Sequence, residues 1–180
     1  LIIVTHAHGD HINPEMVQQH MKNNSKAIFV STKQTVDALN ARDTIDKFQE
    51  RRIGFNPSKS KSDKKEIRGI TIESYKLPHG TDSRIINNGF LVSVNGITFF
   101  HTGDVDFDQF TFEEFRLLQL PERSIDLSFI QHFYLTSDSN SKQFVTKSIG
   151  GKYIIPIHYH FTTPTFDSTI VRQNYQDAII

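Results

Sequence analysis

The sequence predicts a strand-rich α/β fold, and three observations carry that prediction. Short apolar runs recur at strand length, capped segments of helical period follow the first two of them, and Asn95-Gly96 separates two later apolar runs. The last pattern is the strongest short-range hairpin signal. The chain opens on Leu1-Ile2-Ile3-Val4-Thr5, a buried-strand pattern without a polar lead-in, and so reads as an internal fragment. Asn13-Pro14-Glu15 combines a cap residue with a first-turn proline and predicts a helix over 14–22. Residues 27–30 form the next strand, and Ser31 or Thr32 caps a second helix carrying Val36, Leu39, Ile45 and Phe48 at helical spacing. Residues 57–65 are polar, repetitive and basic, the composition of a solvated loop. Beyond it, alternation over 70–77 predicts a strand, residues 89–94 and 97–100 the hairpin, and 125–130 and 152–156 two further strands. Helical segments are expected around 110–118, where the phenylalanines read as core, and over 139–149 before Gly150-Gly151.

At 180 residues the chain supports one domain over 1–180 with a sizeable core. Twenty Lys+Arg offset twenty Asp+Glu, so no overall field favours a nucleic-acid backbone or an anionic membrane. No apolar run reaches the roughly 20 residues of a membrane-spanning helix. The expected partner is therefore a small molecule, with nucleic acid and membrane disfavoured. Cysteine is absent, which leaves histidine and carboxylate as the available metal ligands.

Residues 6–11 read His-x-His-x-Asp-His. In an extended segment side chains at i and i+2 point the same way, so His6 and His8 can reach one cation. Gly9 lets the chain turn and aims Asp10 and His11 at a neighbouring point. Further ligand candidates follow apolar runs: His79 in Leu77-Pro78-His79-Gly80, Asp104 in His101-Thr102-Gly103-Asp104, and His158 in Ile155-Pro156-Ile157-His158. Polar residues directly after strands suit a site built at one end of a rigid sheet.

Together these motifs resemble the metallo-β-lactamase superfamily. Asn88-Gly89-Phe90-Leu91-Val92 leading to His101-Thr102-Gly103-Asp104, and the Pro156-Ile157-His158-Tyr159 ending, resemble its lactonase-like branch, which includes ascorbate-6-phosphate lactonase and many uncharacterised bacterial hydrolases. The resemblance implies an αββα four-layer sandwich, with the amino-terminal strands of that fold lacking in this fragment. It implies that His6, His8 and His79 hold one metal, that Asp10, His11 and His158 hold a second, and that Asp104 bridges them. Two divalent ions are expected, Zn²⁺ first and Mn²⁺ or Fe²⁺ otherwise. The expected activity is metal-dependent hydrolysis of a small ester, lactone or phosphorylated substrate by a metal-bridging hydroxide. Asp10 would orient the nucleophile, and His132 or His160 would donate a proton to the leaving group. His101 is placed to orient a ligand, while His20, Asp106 and Asp126 read as structural or solvated. A phosphodiesterase or nuclease of the same superfamily is the alternative activity, and a non-enzymatic binding relative the third reading.

Overall fold

The computed structural model describes residues 1–43, 48–80, 82–136, 139–158 and 168–175. Strands β1 (Ile2–Ile3), β2 (Phe29–Thr32) and β3 (Arg52–Phe55) form a parallel three-stranded sheet in that order. Strands β4 (Ser62–Ile67), β5 (Ile70–Leu77), β6 (Asn87–Val94), β7 (Ile97–His101), β8 (Leu127–Gln131) and β9 (Tyr153–Ile157) form a six-stranded mixed sheet in sequential order. β4 to β7 pair antiparallel, and β7 to β9 parallel. The helices are α1 (Pro14–Asn23), α2 (Lys33–Arg42), α3 (Phe112–Arg116), α4 (His132–Thr136), α5 (Ser139–Gln143) and α6 (Ser168–Asn174).

Three buried clusters mark three boundaries between four layers. Met21, Val36 and Leu39 from α1 and α2 pack with Val4 and Phe29 of the small sheet. Val30 and Phe55 meet Ile72, Phe90 and Val92 between the sheets. The far side of the large sheet, with Phe100 and Ile130, packs against Phe107, Phe115, Leu135, Phe144 and Val171. Here the phenylalanines serve as core: Phe115 meets Phe107 and Phe110 edge-on at 5.6 and 5.4 Å between centroids, and neither its ring nor that of Phe100 is exposed. The αββα order predicted from the resemblance is thus present.

Local chemistry sets several elements as expected. Asn13 caps α1 by accepting from Met16 N, and Thr32 caps α2 by accepting from Thr35 N. Asn95 and Gly96 take positive φ, 51° and 79°, between β6 and β7. Other elements depart from expectation. The polar stretch predicted as a loop over 57–65 includes most of β4, an edge strand whose register runs from Ser62 opposite Tyr75 to Ile67 opposite Ile70. Its Ser-Asp-Lys-Lys-Glu composition suits an edge, where charges are tolerated and discourage further strand addition. The second helix ends at Arg42, not beyond Phe48, and Ile45 lies outside the described residues. Helix α3 is shorter than the 110–118 expected, because Thr111 and Glu114 close a capping box that fixes its start. The segment 139–149 changes from α to π geometry over Phe144–Ile149, and the short strand β3 was not anticipated.

Candidate metal centre

β5 and β7 both run antiparallel to β6, and β8 and β9 run parallel to β7, so the C-terminal ends of β5, β7, β8 and β9 open on one side. The end of β1 reaches the same place, because Asn88 N at the start of β6 donates to Thr5 O at 3.1 Å. Segments far apart in the chain therefore deliver their polar residues to one edge. Gly80 and Gly103 take positive φ where β5 and β7 are followed by sharp turns, and His158 does so at 63° just past β9.

The ligating atoms converge in three sets, each within 4.8 Å of one another: His6, His8 and His79; His6, His11 and Asp104; Asp10, His11 and His158. His6 and His11 each belong to two of these sets, and Asp104 stands close to four of the imidazoles. Its Oδ2 lies 3.1 Å from His158 Nε2, 3.2 Å from His11 Nε2, 3.7 Å from His6 Nε2 and 3.9 Å from His79 Nε2. The His6 ring stands 4.9 Å from His8 and 4.7 Å from His79, and His8 is 4.6 Å from His79. His6 is fully buried, whereas Asp10 is 69% exposed with Oδ2 3.7 Å from His11 Nε2. The seven residues singled out in the sequence are thus brought together.

Electrostatics sharpen the picture for the metal-free centre. Desolvation, aided by the charge of His11, drops the pKa of His6 to about 3, so His6 is neutral at physiological pH. Desolvation also opposes ionisation of Asp104, but the His11 hydrogen bond and the charges of His11, His158 and His6 outweigh it and hold Asp104 at about 2. His11 moves the other way: desolvation lowers it, and the Asp104 hydrogen bond with the Asp104 and Asp10 charges raises it above the usual value. A neutral imidazole and an ionised carboxylate are the protonation states in which these groups bind metal.

His6 Nε2, both ring nitrogens of His79 and Asp104 Oδ1 are buried without a hydrogen-bond partner among the described residues. Each such group costs on the order of 1–3 kcal/mol when left unpaired. His6 Nδ1 shares a hydrogen bond with Thr5 Oγ1 at 3.0 Å, and a proton on Nδ1 leaves the Nε2 lone pair turned towards Asp104. Unpaired imidazole nitrogens converging on a carboxylate fit a divalent cation of the zinc type.

Around this cluster, His101 has the orienting place expected of it, although it acts on backbone: its Nδ1 accepts from Gly103 N at 2.9 Å, and its ring stacks on Phe129. His132 begins α4, half-buried and edge-on to Phe133, whose ring stands 6.0 Å from that of His158. His160 lies outside the described residues. His20 is exposed, Asp126 accepts from Thr98 N at 2.8 Å, and Asp106 caps a short turn by accepting from Asp108 N, all structural or solvated as expected. Sequence reasoning passed over Thr5, whose hydroxyl shares a hydrogen bond with His6 Nδ1, and Asn87, whose amide spans the Gly103 turn. A hollow of about 280 Å³ lined by Val4, Asp10, His11, Phe90 and His101 opens beside the second set.

A four-layer αββα sandwich with a histidine and aspartate cluster at one sheet end defines a metallo-β-lactamase type of protein. The chain belongs to the beta-lactamase superfamily domain family, whose model matches residues 1–162. A protein of Thermodesulfovibrio yellowstonii named a metal-dependent hydrolase is 25% identical over 200 aligned positions, covering 100% of this chain and 71% of that protein. Among solved structures, Igni18, described as a novel metallo hydrolase of the hyperthermophilic archaeon Ignicoccus hospitalis, matches with a TM-score of 0.70 at 18% identity over 99% of this chain and 74% of its own. The metallo-beta-lactamase fold protein YhfI of Bacillus subtilis matches with a TM-score of 0.67 at 17% identity, over 99% of this chain and 72% of its own. These two likenesses establish the fold.

Proposed function

We propose that the protein is a metal-dependent hydrolase of the superfamily, acting on a small ester, lactone or phosphorylated substrate with two divalent ions, Zn²⁺ foremost. The observation that carries this reading is Asp104 Oδ2 lying within 3.9 Å of the Nε2 atoms of four histidines. The name of the Thermodesulfovibrio relative supports the activity class. His6, His8 and His79 would hold one ion, Asp10, His11 and His158 the other, and Asp104 would contribute to both. Bound there, the ions would supply Lewis acidity that lowers the pKa of water towards neutrality. Exposed Asp10 accepts a hydrogen bond from the attacking water and orients it. Buried Asp104 and His6 keep their oxygen and nitrogen lone pairs available by staying ionised and neutral, respectively. His132 or His160 gives the leaving group its proton in this reading. A lactone or sugar-acid ester follows from the sequence resemblance to the lactonase-like branch. In the basic stretch around β4, Lys59 pairs with Glu114 at 2.7 Å and Lys65 with Asp63 at 2.9 Å.

The test is elemental analysis of purified protein, paired with hydrolysis of bis(p-nitrophenyl) phosphate and a generic lactone before and after chelation. About two metals per chain and chelator-sensitive turnover, both lost in His8→Ala with Asp104→Ala, are expected. Undiminished metal in that double variant would overturn the ligand assignment.

A further inference from the structure

We propose that Asn87 is a positioning residue that sets the Asp104 carboxylate among the histidines, an inference that rests on the metal-binding reading above. Asn87 is 1% exposed at the first position of β6. Its side-chain amide bridges the turn that follows β7. Nδ2 donates to Thr102 O at 3.2 Å, and Oδ1 accepts from Asp104 N at 3.2 Å. Between those two partners stands Gly103, at φ 59°, and a Cβ there would lie 2.1 Å from Asn87 Oδ1 and 2.8 Å from Thr5 Cβ. The absence of a side chain at Gly103 is what allows the amide to lie against the turn, clamping it on both sides.

The same short stretch of β6 also fixes the other half of the centre. Asn88 N holds Thr5 O, and Thr5 Oγ1 holds His6 Nδ1. Asn88 is anchored in turn by its own amide, which donates to Ser74 Oγ at 2.9 Å. Two ligand-bearing segments distant in sequence, Thr5-His6 and Thr102-Gly103-Asp104, therefore hang from adjacent residues of one strand. The distance from Asp104 Oδ2 to His6 Nε2 is set by backbone and amide hydrogen bonds that run through Asn87 and Asn88. Groups that hold metal ligands in place from outside typically change affinity by about 10–100-fold when removed.

The test compares Asn87→Ala and Asn87→Asp with Ser128→Ala, which removes the hydrogen bond that the buried Ser128 Oγ donates to Gly150 O at 2.6 Å, at the end of the sheet away from the cluster. Zn²⁺ dissociation constants are measured by competition with a chromophoric chelator, and folding stability by denaturation of the metal-free proteins. Asn87→Ala is expected to weaken Zn²⁺ binding about 10–100-fold, while Ser128→Ala loses stability yet keeps Zn²⁺ affinity within about twofold. Asn87→Asp keeps the acceptor facing Asp104 N but turns the donor facing Thr102 O into an acceptor. Its added negative charge would by itself tighten cation binding, so weaker Zn²⁺ binding in this near-isosteric variant supports positioning through the turn. Unchanged or tighter binding in both Asn87 variants overturns the proposal, as does equal weakening by Ser128→Ala. Wild-type protein that takes up no Zn²⁺ overturns the metal-binding reading itself, which separates the two failures.

Discussion

Acidification should destabilise the metal-free protein through His101, and the effect can be isolated by replacing that one side chain. Burial, with the nearby His11 charge, lowers the pKa of His101 to about 4 from an ordinary 6.5. Above pH 6.5 the ring is neutral in folded and unfolded chains alike. As pH falls from 6.5 towards 4, the unfolded chain binds a proton that the folded chain refuses, so stability is lost across that window. At 1.36 kcal/mol for each pH unit, the full loss is about 3 kcal/mol, with about 2 kcal/mol already gone near pH 5. Denaturant unfolding of chelator-treated protein at about pH 7.5 and about pH 5 measures it. His101→Gln keeps an acceptor for Gly103 N without the titration, and loses some stability at both pH values through the missing Phe129 stack. The gap between wild type and variant should therefore shrink or reverse on acidification. A gap that stays constant would refute the reasoning, because shifts at His6, His11 and Asp104 are common to both proteins.

Three further outcomes follow from packing and linkage. Phe115→Ala empties a fully buried site beside Phe107, Phe110 and Phe144 and should cost about 3–5 kcal/mol in denaturant unfolding. Gly151→Ala should destabilise by roughly 1–3 kcal/mol, since Gly151 sits at φ 127° and a Cβ would meet Ser128 Oγ at 2.3 Å, a hydroxyl that donates to Gly150 O; an unchanged unfolding midpoint would contradict it. Zn²⁺ at about 100 times its dissociation constant should raise stability by about 3 kcal/mol at neutral pH, visible as an upward shift of the thermal midpoint that chelation reverses.

Spacing made the first ligands legible. His-x-His-x-Asp-His declares itself because its geometry is local, and His79, Asp104 and His158 were found because each follows an apolar run. Cap and turn chemistry located α1, the start of α2 and the β6–β7 hairpin for the same reason: Asn13, Thr32 and Asn95-Gly96 act on their immediate neighbours. Where partners are distant, the signal vanished. β4 looks like a loop because its charges face solvent, and only its backbone pairing with β5 makes it a strand. Asn87 carries no local motif, since its partners Thr102 and Asp104 become neighbours only when β6 and β7 are paired.

The candidate ligands come from the ends of β1, β5, β7 and β9, spread from His6 to His158. No short stretch of the chain holds the whole set, so the centre has long contact order and costs most of the loop-closure entropy of the fold before it exists. A cation can stabilise the finished molecule but has little to grip in the early folding chain beyond the residues around His6 to His11. If the proposed ligand set holds, metal occupancy would serve as a gauge of global folding: a chain that has misplaced a single sheet strand would come off a metal-affinity measurement as apoprotein, even with its helices intact.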